Sequence, residues 1–392
     1  MPYILSLLLT LCAPPPNPTA QMPRLFPFAL LSSMPWVAQH APSLVAAAKR
    51  HPKPADRTLP FEYGTAGFRM KAAELDSVMF RVGVLAALRS LAQGGRTVGV
   101  MITASHNPIE DNGVKVVDPN GEMLVPEWEA LAVRLANADY DTLEEVVEAI
   151  VVAQKLNVNG ATSASVCVGY DTRPSSIPLS VSVFEGIKAA YDDVTTTDHG
   201  EVTTPELHYL VLQANDPAQQ QAQQQKIKYV DQLAGAFRKL IGDRKQTTEV
   251  IVDAANGVGA PKAATLAEKL ADVLPIRVIN DGRSDDDVLN KDCGADYVKV
   301  QQAPSKRALA QPRVRFAALD GDADRLIYFS FKDDGAFYML DGDFIAVLYA
   351  DFIIKLAKKA NLPSIQVGVV QTAYANGGST AYLEKTLVPH FF

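Results

Sequence analysis

Two short stretches hold the residue types of a reactive site. The first is Thr103-Ala104-Ser105-His106-Asn107-Pro108. It follows an apolar run, Thr97 to Ile102, and precedes Glu110-Asp111-Asn112-Gly113-Val114-Lys115. A strand that stops at such a loop leaves a small hydroxyl at a strand end, where functional groups gather in open α/β sheets. Pro108 and Asn112-Gly113 favour turns on the far side. Ser105 is thus a presented oxygen, with His106 and Lys115 as nearby cations or proton carriers. The G-x-S-x-G elbow of a serine hydrolase is not present around Ser105. Taken alone, the stretch reads as a polar turn without chemistry.

The second stretch is Asp320-Gly321-Asp322-Ala323-Asp324-Arg325, after the apolar run Phe316-Ala317-Ala318-Leu319 and before another, Leu326 to Phe331. Three carboxylates at alternate positions repel one another unless the backbone folds them around a cation. Carboxylate oxygens are the ligands of hard divalent cations, and Mg²⁺ keeps room for water or a phosphate oxygen. Arg325 adds a planar donor fork that suits phosphate. An EF-hand would want glycine at its sixth position and glutamate at its twelfth. Arg325 and Phe331 stand there, so that reading fails. A haloacid-dehalogenase-like phosphotransferase also places Asp-x-Asp after an apolar strand and stays open, as does a solvated acidic turn.

Together the two loops resemble those of the α-D-phosphohexomutase superfamily, and most closely its phosphoacetylglucosamine mutase branch. Further stretches agree in order: Phe61-Glu62-Tyr63-Gly64-Thr65-Ala66-Gly67-Phe68-Arg69, Asn112-Gly113-Val114-Lys115-Val116-Val117-Asp118-Pro119, Asp171-Thr172-Arg173-Pro174, Thr203-Thr204-Pro205 and Gln371-Thr372-Ala373-Tyr374-Ala375-Asn376-Gly377. The resemblance runs from about Ser43 to about Pro389. It implies that Ser105 carries a phosphoryl group as phosphoserine. It implies that Asp320, Asp322 and Asp324 bind Mg²⁺, with a phosphoserine oxygen completing the shell. Arg69 and Arg325 then contact phosphate, Lys115 transfers a proton and His106 lies beside the phosphoserine. The implied substrate is a phosphosugar, N-acetylglucosamine 6-phosphate. Its phosphate moves between O6 and O1 through a sugar 1,6-bisphosphate, in the service of UDP-N-acetylglucosamine biosynthesis. Arg69 and Lys115 read equally well as surface cations, and His106 as a turn cap.

The rest of the chain sets bounds. At 392 residues it exceeds one ordinary domain. Nearly half of it is apolar, enough for full cores. A formal charge of −7 gives no basic footprint for nucleic acid. Cys12, Cys167 and Cys293 show no metal-ligand spacing, which fits a reducing, cytoplasmic compartment. Tyr3 to Cys12 is too short to span a bilayer, and no Lys or Arg precedes it, so a signal peptide is incomplete. Residues 1–43 are expected to be an extension without ordered structure, with a weak secretory signal as the alternative. No membrane association is expected, and nothing in the sequence sets the oligomeric state.

Helical and strand periods alternate, which implies mixed sheets with helices on their faces. The spacing predicts a helix from Asp76 or Ser77 to Gln93, capped by one of those residues and stopped by Gly94-Gly95. Strands are expected at Thr97–Ile102, Ser165–Gly169, Glu249–Asp253, Ile276–Ile279, Phe316–Leu319, Leu326–Phe331 and Gln366–Val370. Helices are expected at Ala260–Leu274 and Asp343–Ala360, and Gln219–Gln225 reads as a solvated linker or helix. These make three consecutive α/β units of the phosphohexomutase type. Domain I covers 44–195 with the serine loop, domain II covers 196–314, and 315–392 is an incomplete domain III with the Asp loop. On the resemblance, the sugar-selecting loop and the phosphate-gripping fourth domain are expected to be missing. Tyr170 also stands where the branch carries arginine. Two classes of function therefore remain: a hexosamine-phosphate mutase, or an impaired chain that only binds metal or phosphosugar.

Overall fold

The apolar runs at Thr97–Ile102 and Ala164–Tyr170 become strands buried along nearly their whole length. The computed structural model describes residues 43–387 except 65–66, 159–161, 218–227, 310–313, 363–366 and 372–374. The expected N-terminal extension up to residue 42 and the stretch Gln219–Gln225 lie outside the described residues.

The first sheet holds β1 (Phe68–Lys71), β2 (Thr97–Ile102), β3 (Asp111–Val117), β4 (Ala164–Tyr170) and β5 (Val194–Glu201) in the order β1-β3-β2-β4-β5. The β1–β3 and β3–β2 pairs are antiparallel; β2–β4 and β4–β5 are parallel. Side chains alternate across β2. Val98, Val100 and Ile102 join the main core with Val78, Leu85 and Leu88 of α1 (Asp76–Ala92). Met101 faces the other way, against Leu207 and Val211 of α5 (Thr204–Asn215). Burial on both faces explains a near-continuous apolar strand. Between these elements lie α2 (Pro126–Asn137), α3 (Tyr140–Ala153) and α4 (Ser176–Ala190). Helix α1 is buried from Ser77 through Leu91, including two arginines. Arg89 reaches the Asp118 carboxylate through Nε and Nη2 at 2.8 and 2.5 Å, and its guanidinium lies 4.8 Å from the Trp128 ring centroid.

The capping expectation for α1 needs correction. A 3-10 turn, Ala72–Glu74, leads into the helix, and Leu75 takes the cap position in a helical conformation with no side-chain cap. The Asp76 carboxylate is used elsewhere, accepting from the Ser182 hydroxyl at 2.5 Å and lying 3.0 Å from His51 Nδ1.

The second sheet contains β6 (Val250–Asp253), β7 (Ile276–Ile279), β8 (Arg315–Leu319), β9 (Leu326–Phe331) and β10 (Phe337–Leu340) in the order β10-β9-β8-β6-β7. Strand β6 runs parallel to β7 and β8, and β8-β9-β10 is an antiparallel meander. Phe316 and Phe329 stack with centroids 4.8 Å apart and share a core with Ile251, Ala318 and Phe331. Helices α6 (Tyr229–Ile241), α7 (Gly259–Leu270), α8 (Gly294–Gln301), α9 (Gly342–Lys359) and α10 (Gly377–Leu387) follow in chain order, and residues 43–48 are also helical.

Two expectations shift. Helix α7 stops at Leu270, four residues before the expected end. Residues 367–370 form no strand, although Val367 and Val369 pack near Ala350 and Leu383. Gln366, the first residue of the expected strand, lies outside the described residues, and among the described residues no strand pairs with 367–370. Among the described residues, no helix is long and apolar enough to cross a membrane.

Candidate active site

The serine loop starts where β2 ends beside β4, with Ile102 opposite Tyr170 in parallel register. That register brings Asp171 next to Thr103, and the Asp171 N–H donates to the Ile102 carbonyl at 3.1 Å. The Thr103 hydroxyl donates to Asp171 Oδ2 at 2.7 Å and accepts the Ser105 N–H at 2.8 Å. Arg173 pairs with Asp171 and extends Nη2 to the Ser105 and Asn107 carbonyls at 3.3 and 2.7 Å. Ser105 is held at a φ of 52°, a left-handed conformation that is uncommon for serine. Such backbone strain persists only where surrounding contacts impose it. Here the imposed conformation turns Oγ toward the second sheet.

The Asp loop meets it from the end of β8. Asp320 and Asp322 are fully buried, and Asp324 is partly exposed. Ala323, between two of them, has a φ of 56°. One ligand atom from each of the three carboxylates lies within 4.8 Å of the others. Gly321 permits this approach. A Cβ there would stand 2.6 Å from the Ser105 carbonyl oxygen and 2.8 Å from Asn290 Nδ2. The start of α5 supports the loop from the side. The Thr204 hydroxyl donates to Asp322 Oδ2 at 2.7 Å, and the Thr204 N–H donates to the Asp322 carbonyl at 3.1 Å.

Reactive groups converge between the loops. Ser105 Oγ donates to Asp320 Oδ2 at 2.6 Å and accepts from Arg325 Nη2 at 2.9 Å. Arg325 Nε also reaches Asp320 Oδ2 at 3.0 Å. His106 Nδ1 touches Arg325 Nη2. Burial and the adjacent Arg325 charge hold the His106 imidazole below its ordinary value. Lys115 is buried, with Nζ 3.3 Å from Asp324 and 3.6 Å from Asp322. Arg69 is one bond removed, donating to Asn107 Oδ1 at 3.2 Å.

Burial, followed by the charges of Asp322 and Asp324, pushes the Asp320 carboxyl up to about 6. Asp322 Oδ1 is buried and accepts no hydrogen bond. A buried carboxylate oxygen without a donor is costly. Three convergent carboxylates with one bare oxygen fit a hard divalent cation, whose charge would answer both features.

The structure thus draws Ser105, His106, Lys115, Asp320, Asp322, Asp324 and Arg325 into one place, with Arg69 at its edge. Sequence reasoning gave no role to Thr103, Asp171, Arg173, Thr204 or Asn290. Thr203-Thr204-Pro205 carried a helix-start signal, and Asp171 stood at a strand end. Asn290 carried no signal.

Two mixed α/β sheets meeting at a serine loop and a triple-aspartate loop define an α-D-phosphohexomutase fold. Residues 72–143 match the phosphoglucomutase/phosphomannomutase alpha/beta/alpha domain I. Residues 219–327 and 341–390 match domains II and III of phosphoacetylglucosamine mutase AMG1. The phosphoacetylglucosamine mutase of Candida albicans is 43% identical over 353 residues, covering 86% of this chain and 64% of that protein. An apo-form crystal structure of N-acetylglucosamine-phosphate mutase is 44% identical with a TM-score of 0.78, covering 88% of this chain and 74% of its own. The Aspergillus fumigatus N-acetylphosphoglucosamine mutase in complex with GlcNAc-6P and magnesium is 41% identical with a TM-score of 0.79, covering 89% and 64%. The chain belongs to the phosphoacetylglucosamine mutase family. It spans somewhat under two thirds of the length of the curated relatives. Membership sets aside the haloacid-dehalogenase-like reading of the Asp loop.

Proposed function

We propose that this chain carries the phosphoryl-transfer centre of a phosphoacetylglucosamine mutase. Its substrates are then N-acetylglucosamine 6-phosphate and 1-phosphate, exchanged through phosphoserine at Ser105 and a sugar 1,6-bisphosphate. The product feeds UDP-N-acetylglucosamine biosynthesis in the cytoplasm, a location supported by the buried thiols Cys167 and Cys293. The observation that carries the reading is the 2.6 Å bond between Ser105 Oγ and Asp320, inside a triple-carboxylate cluster and under Arg325. Family membership and the GlcNAc-6P and magnesium complex of the fungal relative support it. We also place the first two domains on the two sheets, with a third beginning at α9; the matched family domains support that division.

Phosphoryl transfer depends on positioning and charge neutralisation more than on covalent help. Asp320, Asp322 and Asp324 would hold Mg²⁺, which would offset charge on the transferring oxygens. Arg325, already 2.9 Å from Ser105 Oγ, is placed to hold a phosphate on that oxygen. Arg69 guards the same loop through Asn107 and offers a second guanidinium. Lys115 Nζ is the proton carrier for the sugar hydroxyl, supported by its place beside Asp322 and Asp324. His106 lies beside Ser105 and against Arg325; burial, then the Arg325 guanidinium, holds the imidazole below its ordinary value.

The test supplies N-acetylglucosamine 6-phosphate, Mg²⁺ and a trace of glucose 1,6-bisphosphate, and follows the phosphorus NMR spectrum. Formation of the 1-phosphate by the native chain and its loss in Ser105→Ala is the expected result. Binding of the phosphosugar without any conversion would favour the binding-only chain and overturn the enzyme reading.

A further inference from the structure

We infer that Asn290 is a positioning residue for phosphoryl transfer at Ser105, bracing the serine loop against the sheet that carries the Asp loop. The inference rests on Ser105 being the phosphoryl carrier. Asn290 lies in the segment between β7 and α8, 185 residues from Ser105. Its Nδ2 donates to the Ser105 carbonyl at 2.8 Å and to the Asn107 carbonyl at 3.2 Å. A side-chain amide has two N–H donors, one for each carbonyl. From the other side, Arg173 Nη2 reaches the same two oxygens. The serine loop is therefore gripped by one donor from its own sheet and one from the opposite sheet.

The segment carrying Asn290 is itself fixed. The Asn290 N–H donates to the Ala255 carbonyl at 2.9 Å. Asp253, fully buried at the end of β6, accepts the N–H groups of Ala255 and Gly294. Asn256 donates to the Val288 carbonyl at 3.1 Å and accepts the Gly282 N–H at 3.2 Å. Strand β6 pairs directly with β8, which leads into Asp320. The path from Asp320 through β8, β6 and Ala255 to Asn290 and Ser105 is a closed loop of strand pairing and hydrogen bonds. Its length sets how far Ser105 Oγ stands from Asp320.

Residue type and conformation agree with this role. Asn290 has a φ of 58°, where asparagine is tolerated better than most side chains. Glycine accepts that φ without strain, so Asn290→Gly removes the amide while sparing the backbone. Asn290→Asp keeps the shape but turns carboxylate oxygens toward two carbonyls.

Two measurements test the brace. Hydrogen exchange of residues 103–113 should be faster in Asn290→Gly, with residues 250–279 unchanged. Phosphorylation of Ser105 by glucose 1,6-bisphosphate should slow about tenfold or more, because small misplacements cost large factors in rate. Mg²⁺ affinity should stay within about twofold, since Asn290 does not hydrogen-bond the aspartates, and Asn290→Asp should slow transfer at least as much. Wild-type exchange in the serine loop would overturn the brace. Faster exchange with an unchanged transfer rate would overturn the positioning role. If the native chain fails to phosphorylate Ser105, the proposed function fails, and the exchange measurement alone decides whether Asn290 holds the loop.

Discussion

Replacing Gly321 by alanine should damage the site from its centre. The added Cβ would lie 2.6 Å from the Ser105 carbonyl oxygen and 2.8 Å from Asn290 Nδ2, whereas ordinary contact starts at 3.4 Å. The two loops must part by about 0.8 Å to restore that 3.4 Å separation. Neither neighbour yields easily, because the Ser105 carbonyl is backbone and Asn290 is held by Ala255. Overpacking of this kind costs ~1–3 kcal/mol. At roughly 2–4 °C per kcal/mol, the melting temperature should fall by several degrees. The bond between Ser105 and Asp320 should lengthen by a comparable distance, and a displacement near ~1 Å costs on the order of 10²-fold in rate. The assays are differential scanning calorimetry and the initial rate of Ser105 phosphorylation by glucose 1,6-bisphosphate. A Gly321→Ala protein with native melting and native rate would refute the claim that the loops are in contact through this glycine.

Other consequences concern metal, pH and the core. Asp322→Ala should abolish measurable Mg²⁺ heat in titration calorimetry, since it removes the carboxylate with a bare buried oxygen; native binding would remove the proposed site. The Asp320 carboxyl sits at about 6 in the metal-free protein, above its ordinary 3.8. Its contribution to metal-free stability is therefore fully present below about 3.8 and lost as pH rises through about 6. Mg²⁺ takes the deprotonated form, so its affinity should drop about tenfold per pH unit below about 6, read from titrations between pH 5 and 8. Arg89→Leu leaves the Asp118 carboxylate buried and unpaired, which should cost ~3–5 kcal/mol in urea unfolding, while Arg89→Leu with Asp118→Leu should recover much of the loss.

Contiguous words of sequence revealed more than dispersed ones. Thr97–Ile102, Ile276–Ile279 and Leu326–Phe331 fold as strands over the bounds that their apolar runs suggest. Ser105 and the three aspartates were visible because each sits in one compact loop after such a run. Thr103, Asp171 and Arg173 work together only because the parallel register of β2 and β4 aligns Ile102 with Tyr170. No local period encodes that register. Asn290 lies in a polar segment between β7 and α8, and its partners are set by how two sheets meet. The sheet joined by β8 was likewise hidden, because periodicity describes a strand and not its neighbour. Val367 and Val369 show the converse: they alternate and pack on a core, yet pair with no strand among the described residues.

The most direct test of the central claim is the site of phosphate attachment after incubation with glucose 1,6-bisphosphate and Mg²⁺. Peptide mass spectrometry should find an acid-stable phosphate on Ser105 in the native chain and none in the Asp322→Ala variant. An acid-labile phosphate on Asp320, or no phosphate on the serine loop at all, would contradict the account.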